Sequence, residues 1–153
     1  MTKMFNTTFE ISLRILLVLE SAPLQWWTAD RIAAYDFITV YSGDFGIADE
    51  NLHGENRYKY SEFALRRELV KDALKALVSR QLADVESTKD GFMYTLGKLG
   101  GDLCAELYSG YAEIYRELVK EVYKRMFGKS DREVTGLINR YSISSLRRSD
   151  NDE

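Results

Sequence analysis

The sequence predicts a mostly α-helical fold with one small β-hairpin. Three segments in the first half of the chain indicate helices: the first is apolar almost all round, the second is rich in apolar residues, and the third carries its apolar residues on one face of a helical wheel. Two strand-like stretches follow, and the turn between them ends in Asp90-Gly91, a dipeptide typical of hairpins. A further amphipathic segment spans residues 111–127. The predicted order is therefore three helices, a hairpin and then C-terminal helices.

Capping residues and helix breakers set the predicted helix boundaries. Thr7 or Thr8 can cap the first helix, and Thr28 or Asp30 can start the second. Ser61 can cap the third. We expect helices over residues 7–21, 28–42, 61–80, 102–108, 111–127 and 130–138, a loop over residues 43–58, and a break in the chain at the glycines of residues 97–101.

The order of the elements indicates a particular arrangement of domains. The strands Leu82–Glu86 and Phe92–Leu96 directly follow a helix, as the wing follows the third helix of a winged helix-turn-helix domain. We therefore predict a winged-helix domain over residues 1–98 and a helical extension over residues 99–141. Residues 142–153 are polar and are predicted to form a flexible tail.

Composition excludes several classes of protein. The chain has 153 residues, of which 45% are hydrophobic and 29% charged, a profile typical of one soluble domain. The formal net charge of -3 gives no overall attraction to nucleic acid. Cys104 is the only cysteine, and the longest apolar run, Ile15–Leu19, is too short to span a bilayer. The N-terminus also lacks the apolar core of a signal peptide, so we expect a cytoplasmic protein without a membrane partner.

Catalytic motifs are missing from the sequence. Gly128-Lys129-Ser130 imitates the end of a phosphate-binding loop, but Tyr123 stands where the first glycine of that motif is required. His53 is the only histidine, so neither a zinc site nor a Ser-His-Asp arrangement is expected. We expect His53 to form a hydrogen bond within its own loop. The chain is predicted to be non-enzymatic, with no cofactor, metal or small-molecule substrate.

Polar residues between Tyr35 and Arg67 form a candidate structural or recognition region. Its members are Asp36, Asp44, His53, Arg57, Arg66 and Arg67. Arg67 falls within the apolar stripe of the third helix, where an unpaired charge is costly. Asp36 and Asp44 are its predicted partners, and a bidentate pair would hold the 43–58 loop on that helix. A structural role is favoured over a functional one.

The third helix has a mixed wet face, which bears on DNA binding. Its polar residues are Glu68, Lys71, Asp72, Lys75 and Ser79. Acidic side chains repel phosphates and weaken the electrostatic contribution to DNA affinity. Sequence-specific recognition is therefore disfavoured. A homodimeric winged-helix transcription regulator, with the C-terminal helix as its dimer contact, remains the alternative.

Aromatic residues suggest a partner interface. Trp26-Trp27 lies between the first two helices, and we do not expect both rings to be buried in so small a domain. Tyr111, Tyr115 and Tyr123 cluster in the C-terminal region. Aromatic side chains are enriched in protein interfaces. Ordinary core packing explains the tyrosines equally well, so both interpretations stay open.

A set of short motifs carries a family resemblance. They are Phe5-Asn6, Glu10, Leu13–Leu16, Arg31-Ile32, Tyr35–Phe37, Ser42–Asp44, Leu52-His53, Arg57, Glu62, Arg66-Arg67, Leu74, Leu82, Gly91–Tyr94 and Tyr111. In this order, over about residues 5–118, the chain resembles the winged-helix type of middle component in bacterial ABC-three-component systems. These systems overlap with the Lamassu anti-phage and anti-plasmid defence systems. The family tends to have a proline after the histidine, whereas this chain has Gly54-Glu55.

The resemblance implies a role as a bridging subunit. Such a middle component is a non-catalytic adaptor that joins an SMC- or Rad50-like ABC ATPase to an effector, often a nuclease. The ATPase senses foreign DNA and the effector damages nucleic acid. The resemblance leaves open whether this subunit itself contacts double-stranded DNA.

Overall fold

A computed structural model describes residues 7–54 and 62–151, with the backbone alone over residues 144–151. The helices are α1 (Thr8–Glu20), α2 (Ala29–Val40), α3 (Phe63–Ser79), α4 (Lys98–Ala105), α5 (Gly110–Met126) and α6 (Asp131–Asn151), and the strands are β1 (Trp27–Thr28), β2 (Ala83–Thr88) and β3 (Gly91–Leu96). This mostly helical architecture with a small antiparallel sheet confirms the predicted fold class. Among the described residues, no helix is long and apolar enough to cross a bilayer.

Local capping chemistry fixes the first two helices. The Thr7 side chain accepts a hydrogen bond from the Glu10 backbone N–H at 3.2 Å, and α1 begins at Thr8. The Thr28 side chain accepts from the Arg31 backbone N–H at 3.1 Å, and α2 follows directly. Both caps agree with the sequence prediction. Helix α1 contacts α2, α3, α4 and α5, so it is the central helix that its apolar character indicates.

The hairpin belongs to a three-stranded sheet with the order β1-β3-β2. Strands β2 and β3 pair antiparallel from Ala83↔Leu96 to Thr88↔Gly91, which leaves a two-residue turn. Strand β1 adds Trp27 opposite Tyr94. The sequence predicts the hairpin but not β1, because two residues are too few to show an alternating pattern.

One boundary prediction is wrong in a way that packing explains, and another falls at the edge of the described residues. Helix α3 begins at Phe63 with Glu62 at its N-cap, while Ser61 lies outside the described residues. Helix α4 begins after Gly97 and runs through Gly100, where we predicted a break. A Cβ atom at Gly100 would lie 2.0 Å from the backbone oxygen of Leu82. The glycine therefore permits close contact between α4 and the chain that precedes β2.

The C-terminal helices share the core of the first three. Val134 and Ile138 of α6 are buried in one hydrophobic cluster with residues of α1 and α2. Helix α6 also continues to Asn151, through most of the segment for which the sequence predicts a flexible tail.

Candidate functional site

A buried ionic cluster centred on Asp36 joins four helices. Arg14 of α1 donates to both carboxylate oxygens of Asp36, at 2.8 and 3.2 Å. Arg66 of α3 donates to Oδ2 at 2.9 Å, and the Tyr115 hydroxyl of α5 donates to Oδ1 at 2.7 Å. All four residues are buried, and Asp36 is fully inaccessible. Because each helix supplies one member, the cluster fixes the relative positions of α1, α2, α3 and α5.

Electrostatics keep the cluster charged. Burial alone would raise the pKa of Asp36, but the charges of Arg14 and Arg66 and the hydrogen bonds from Arg14 and Tyr115 hold that pKa well below its usual value. Burial likewise opposes the charge of Arg14, yet Asp36 raises the Arg14 pKa above its usual value. Burial and the adjacent carboxylate raise the pKa of Tyr115 far above its usual value. Asp36 is therefore an ionised acceptor and Tyr115 a neutral donor.

The sequence prediction selected the wrong arginine for this site. Arg66, not Arg67, is the buried partner of Asp36. The side chain of Arg67 is 38% exposed and pairs with Asp30 instead, at 3.0 and 3.1 Å. The two arginines are adjacent on α3, so a rotation of 100° decides which of them faces the core.

Arg14 belongs to the cluster but is not among the site residues predicted from the sequence. It interrupts the apolar run of α1, and this interruption is the signal that could have indicated a buried partner. The Arg66 guanidinium also lies 5.6 Å from the Phe37 ring centre and 5.9 Å from that of Tyr41. These aromatic faces give the charge a second favourable contact within the core.

The start of the loop after α2 is held by its own side chains. The Asn51 carboxamide accepts from the backbone N–H of Asp44 at 3.0 Å and donates to the Asp44 carboxylate at 3.1 Å. At Gly43, a Cβ atom would lie 2.7 Å from the backbone of Glu50. Asp44 thus stabilises the loop itself, in contrast to its predicted role as a partner of Arg67. Arg57 lies outside the described residues.

His53 connects this loop to α5. Its Nε2 shares a hydrogen bond of 2.5 Å with the Tyr111 hydroxyl, so the partner of this nitrogen lies on α5, and the expected bond within the loop stays a prediction. The Tyr111 ring stacks on Tyr115, with 6.3 Å between centres. Tyr115 in turn donates to Asp36. A continuous set of contacts therefore runs from the loop to the ionic cluster.

Burial and the nearby Arg14 charge lower the pKa of His53 to about 3. We expect the protein to lose about 1 kcal/mol of stability between pH 7.5 and pH 5, after a reduction for partial exposure of the ring. The sign follows because the unfolded histidine, with a pKa near 6.5, takes up a proton in this range while the folded one does not. Urea unfolding at the two pH values measures the loss. His53→Gln should flatten this dependence, and an unchanged slope in the variant would refute the assignment.

The predicted aromatic interface divides into core and surface residues. Trp27 is fully buried, and its ring centre lies 4.9 Å from that of Tyr35. Tyr115 is also fully buried, so the interface prediction is wrong for both residues. Trp26 is 39% exposed, whereas Tyr111 and Tyr123 are half-buried. The Tyr123 hydroxyl donates to Gln25 at 2.8 Å. Trp26 is thus the aromatic residue of this set with the largest free surface.

A groove of about 550 Å³ lies between α3, the hairpin and the start of α2. Its charged lining residues are Asp30, Glu68, Asp72, Asp90 and Asp131 together with Lys71 and Lys75. Three of the carboxylates form ion pairs. Asp30 pairs with Arg67, Glu68 with Lys71 and Asp131 with Arg31. The groove therefore lacks the surplus of cations that DNA phosphates require.

Reactive side chains are scarce in the described part of the chain. Over residues 7–54 and 62–143, whose side chains are described, no group of three or more histidine, cysteine or acidic side chains could hold a metal ion. Cys104 is buried, and burial raises the pKa of its thiol to about 12. A thiol in this state is a poor nucleophile. The distinctive chemistry of these residues is thus the ionic cluster, whose geometry serves to hold helices together.

Comparison with protein families identifies the class of this protein. A family model described as "ABC-three component (ABC-3C) system Middle Component 2" matches residues 4–148, nearly the whole chain. The protein is thus a middle component of an ABC-three-component system. It belongs to the Middle Component 2 family of these systems. No curated protein and no solved structure matches the chain.

Proposed function

We propose that this chain is the non-catalytic adaptor of a cytoplasmic ABC-three-component defence complex, where it joins an SMC-like ABC ATPase to an effector nuclease. The family match over residues 4–148 carries the proposal, because a middle component acts with the other components of its system. The Asp36 cluster supports it, since four helices fixed to one another form a rigid body that can hold two partners in register.

The element order supports a winged-helix body, and the resemblance of the sequence motifs is the ground on which we propose the Lamassu-like type. Helix α1, the short strand β1, helices α2 and α3 and then the β2–β3 hairpin occur in the order typical of that fold. The groove beside α3 gives little support to DNA reading by this subunit, because carboxylates outnumber lysines along it. We therefore propose that the ATPase makes the main DNA contact of the complex, with at most an accessory contact by this subunit.

Trp26 is the residue with which we test the adaptor interface. Trp26→Ala should weaken binding to the ATPase component about tenfold, because half-exposed tryptophans are frequent hot spots of interfaces. Binding of the purified proteins by calorimetry measures the change. The buried Trp27 is left intact, since its loss would open a cavity in the core.

Phe92 provides a matched control, because it is an aromatic residue on the hairpin that is 62% exposed. Phe92→Ala should leave ATPase affinity within about twofold. Equal affinity of the Trp26 variant and the unmodified protein would remove Trp26 from the interface. Tight, sequence-dependent DNA binding by the protein alone would favour the winged-helix regulator instead.

A further inference from the structure

The outward face of α6 carries charges that its own fold does not use. We call this surface the α6 outer face, and it consists of Lys129, Arg132, Gly136, Leu137, Arg140 and Ile143. A hollow of about 540 Å³ lies on this face. Its lining residues are Lys129, Glu133, Gly136, Leu137 and Arg140. Within the described part of the chain, Lys129, Arg132 and Arg140 form no ion pair. Three cations are therefore available to a ligand.

Gly136 lies at the centre of this face and lacks an internal reason to be glycine. On a helical wheel it falls between Arg132 and Arg140, opposite the buried Val134 and Ile138. A Cβ atom built at Gly136 would meet nothing within 4 Å, and the residue does not adopt a positive φ. Glycine is a poor helix former, so its presence in mid-helix calls for another cause. Close approach of a second molecule to the α6 backbone supplies that cause.

Apolar surface on the same face favours a protein ligand over nucleic acid. Ile143 is 52% exposed and lies two turns beyond Gly136, and Leu137 is half-buried beside it. The hollow also contains the carboxylate of Glu133, which would repel a phosphate. Its side chain accepts from the Ser130 backbone N–H while the Ser130 hydroxyl accepts from Glu133 N–H, so this acid is committed to capping α6. Three cations are few for a nucleic acid backbone.

We infer that the α6 outer face binds an acidic amphipathic helix of the ABC ATPase component, an inference that rests on the proposed function. Arg132 and Arg140 are about 12 Å apart along the axis, so carboxylates two turns apart on a partner helix match them. Gly136 lets that helix approach closely, and Ile143 contacts its apolar side. The start of α6 contacts the segment that follows Trp26, because the Thr28 hydroxyl donates to Asp131 at 2.5 Å.

Two variants test the surface by binding of the purified full chain to the purified ATPase component. Arg132→Glu combined with Arg140→Glu should raise Kd at least tenfold, and the unmodified affinity should weaken with salt. Gly136→Gln should also raise Kd tenfold, whereas the melting temperature of the free chain should stay the same or rise. A higher Kd without a lower melting temperature distinguishes loss of the interface from loss of folding.

Lys75→Glu is the matched control, since Lys75 is an exposed lysine of α3 without an ion pair in the described residues. It should leave Kd within twofold. Unchanged Kd in both α6 variants, with normal binding by the unmodified chain, overturns this inference and leaves the proposed function standing. If the α6 variants kept their affinity for the ATPase but lost binding to a 30-base-pair DNA duplex, the face would be a nucleic acid site. That result would also overturn the inference. Failure of the unmodified chain to bind the ATPase overturns both.

Discussion

Replacement of Asp36 by asparagine should lower the free energy of unfolding by about 3 to 5 kcal/mol. The substitution preserves the shape of the side chain but removes the charge that compensates two buried arginines. Arg14 and Arg66 would then remain in the core with no carboxylate between them. Urea denaturation of the variant measures the change.

Asp30→Asn is the matched control for this prediction, because Asp30 is also on α2 but pairs with Arg67 at the surface. Its loss should cost less than about 1 kcal/mol, as is usual for exposed ion pairs. Arg14→Met in the Asp36→Asn background should recover part of the lost stability, since it removes one of the two buried cations that Asp36 compensates. Similar losses in the Asp36 and Asp30 variants would contradict the central place of the cluster.

Gly100→Ala should destabilise the protein by about 3 kcal/mol, although alanine is the better helix former. The new Cβ would lie 2.0 Å from the Leu82 backbone oxygen and 3.0 Å from the Leu96 side chain. Backbone atoms cannot rotate away as a side chain can, so α4 must move from the hairpin. Thermal unfolding measures the effect.

The neighbouring Gly101 gives a control of opposite sign. A Cβ there would lie 3.7 Å from the Leu96 side chain, which is an ordinary contact distance. Gly101→Ala should therefore stabilise the protein by about 0.5 to 1 kcal/mol. If both variants proved stabilising, the close contact between α4 and Leu82 would be refuted.

Features with a local cause could be predicted from the sequence. Thr7 and Thr28 cap helices through residues three positions away, and the α1 and α2 boundaries followed from them. The hairpin likewise depends on a turn and two adjacent strands. The exposed polar face of α3 could be predicted from the helical spacing of its apolar residues alone.

Features decided by distant contacts could not be predicted in the same way. Arg66 and Arg67 are chemically identical neighbours, and only the packing of α3 on α1 and α2 selects Arg66 for the core. Gly100 resembles a helix breaker until the backbone of Leu82 is placed beside it. Trp26 and Trp27 likewise form one motif in the sequence but have opposite exposure.

The residues that stabilise the fold are thus different from the residues that are exposed to partners. The Asp36 cluster and Trp27 hold the helices together, so substitutions there report on folding. Trp26 and the α6 outer face contribute little to the core and can report on partners. A test that replaced both tryptophans at once would confuse loss of folding with loss of binding.

The most direct test of the adaptor function is affinity purification of the tagged chain from its native cells, followed by mass spectrometry. We predict recovery of a large coiled-coil ABC ATPase together with a nuclease, in amounts comparable to the tagged chain. Recovery of the chain alone, as a dimer that carries specific DNA fragments, would contradict the adaptor function and make the protein a transcription regulator.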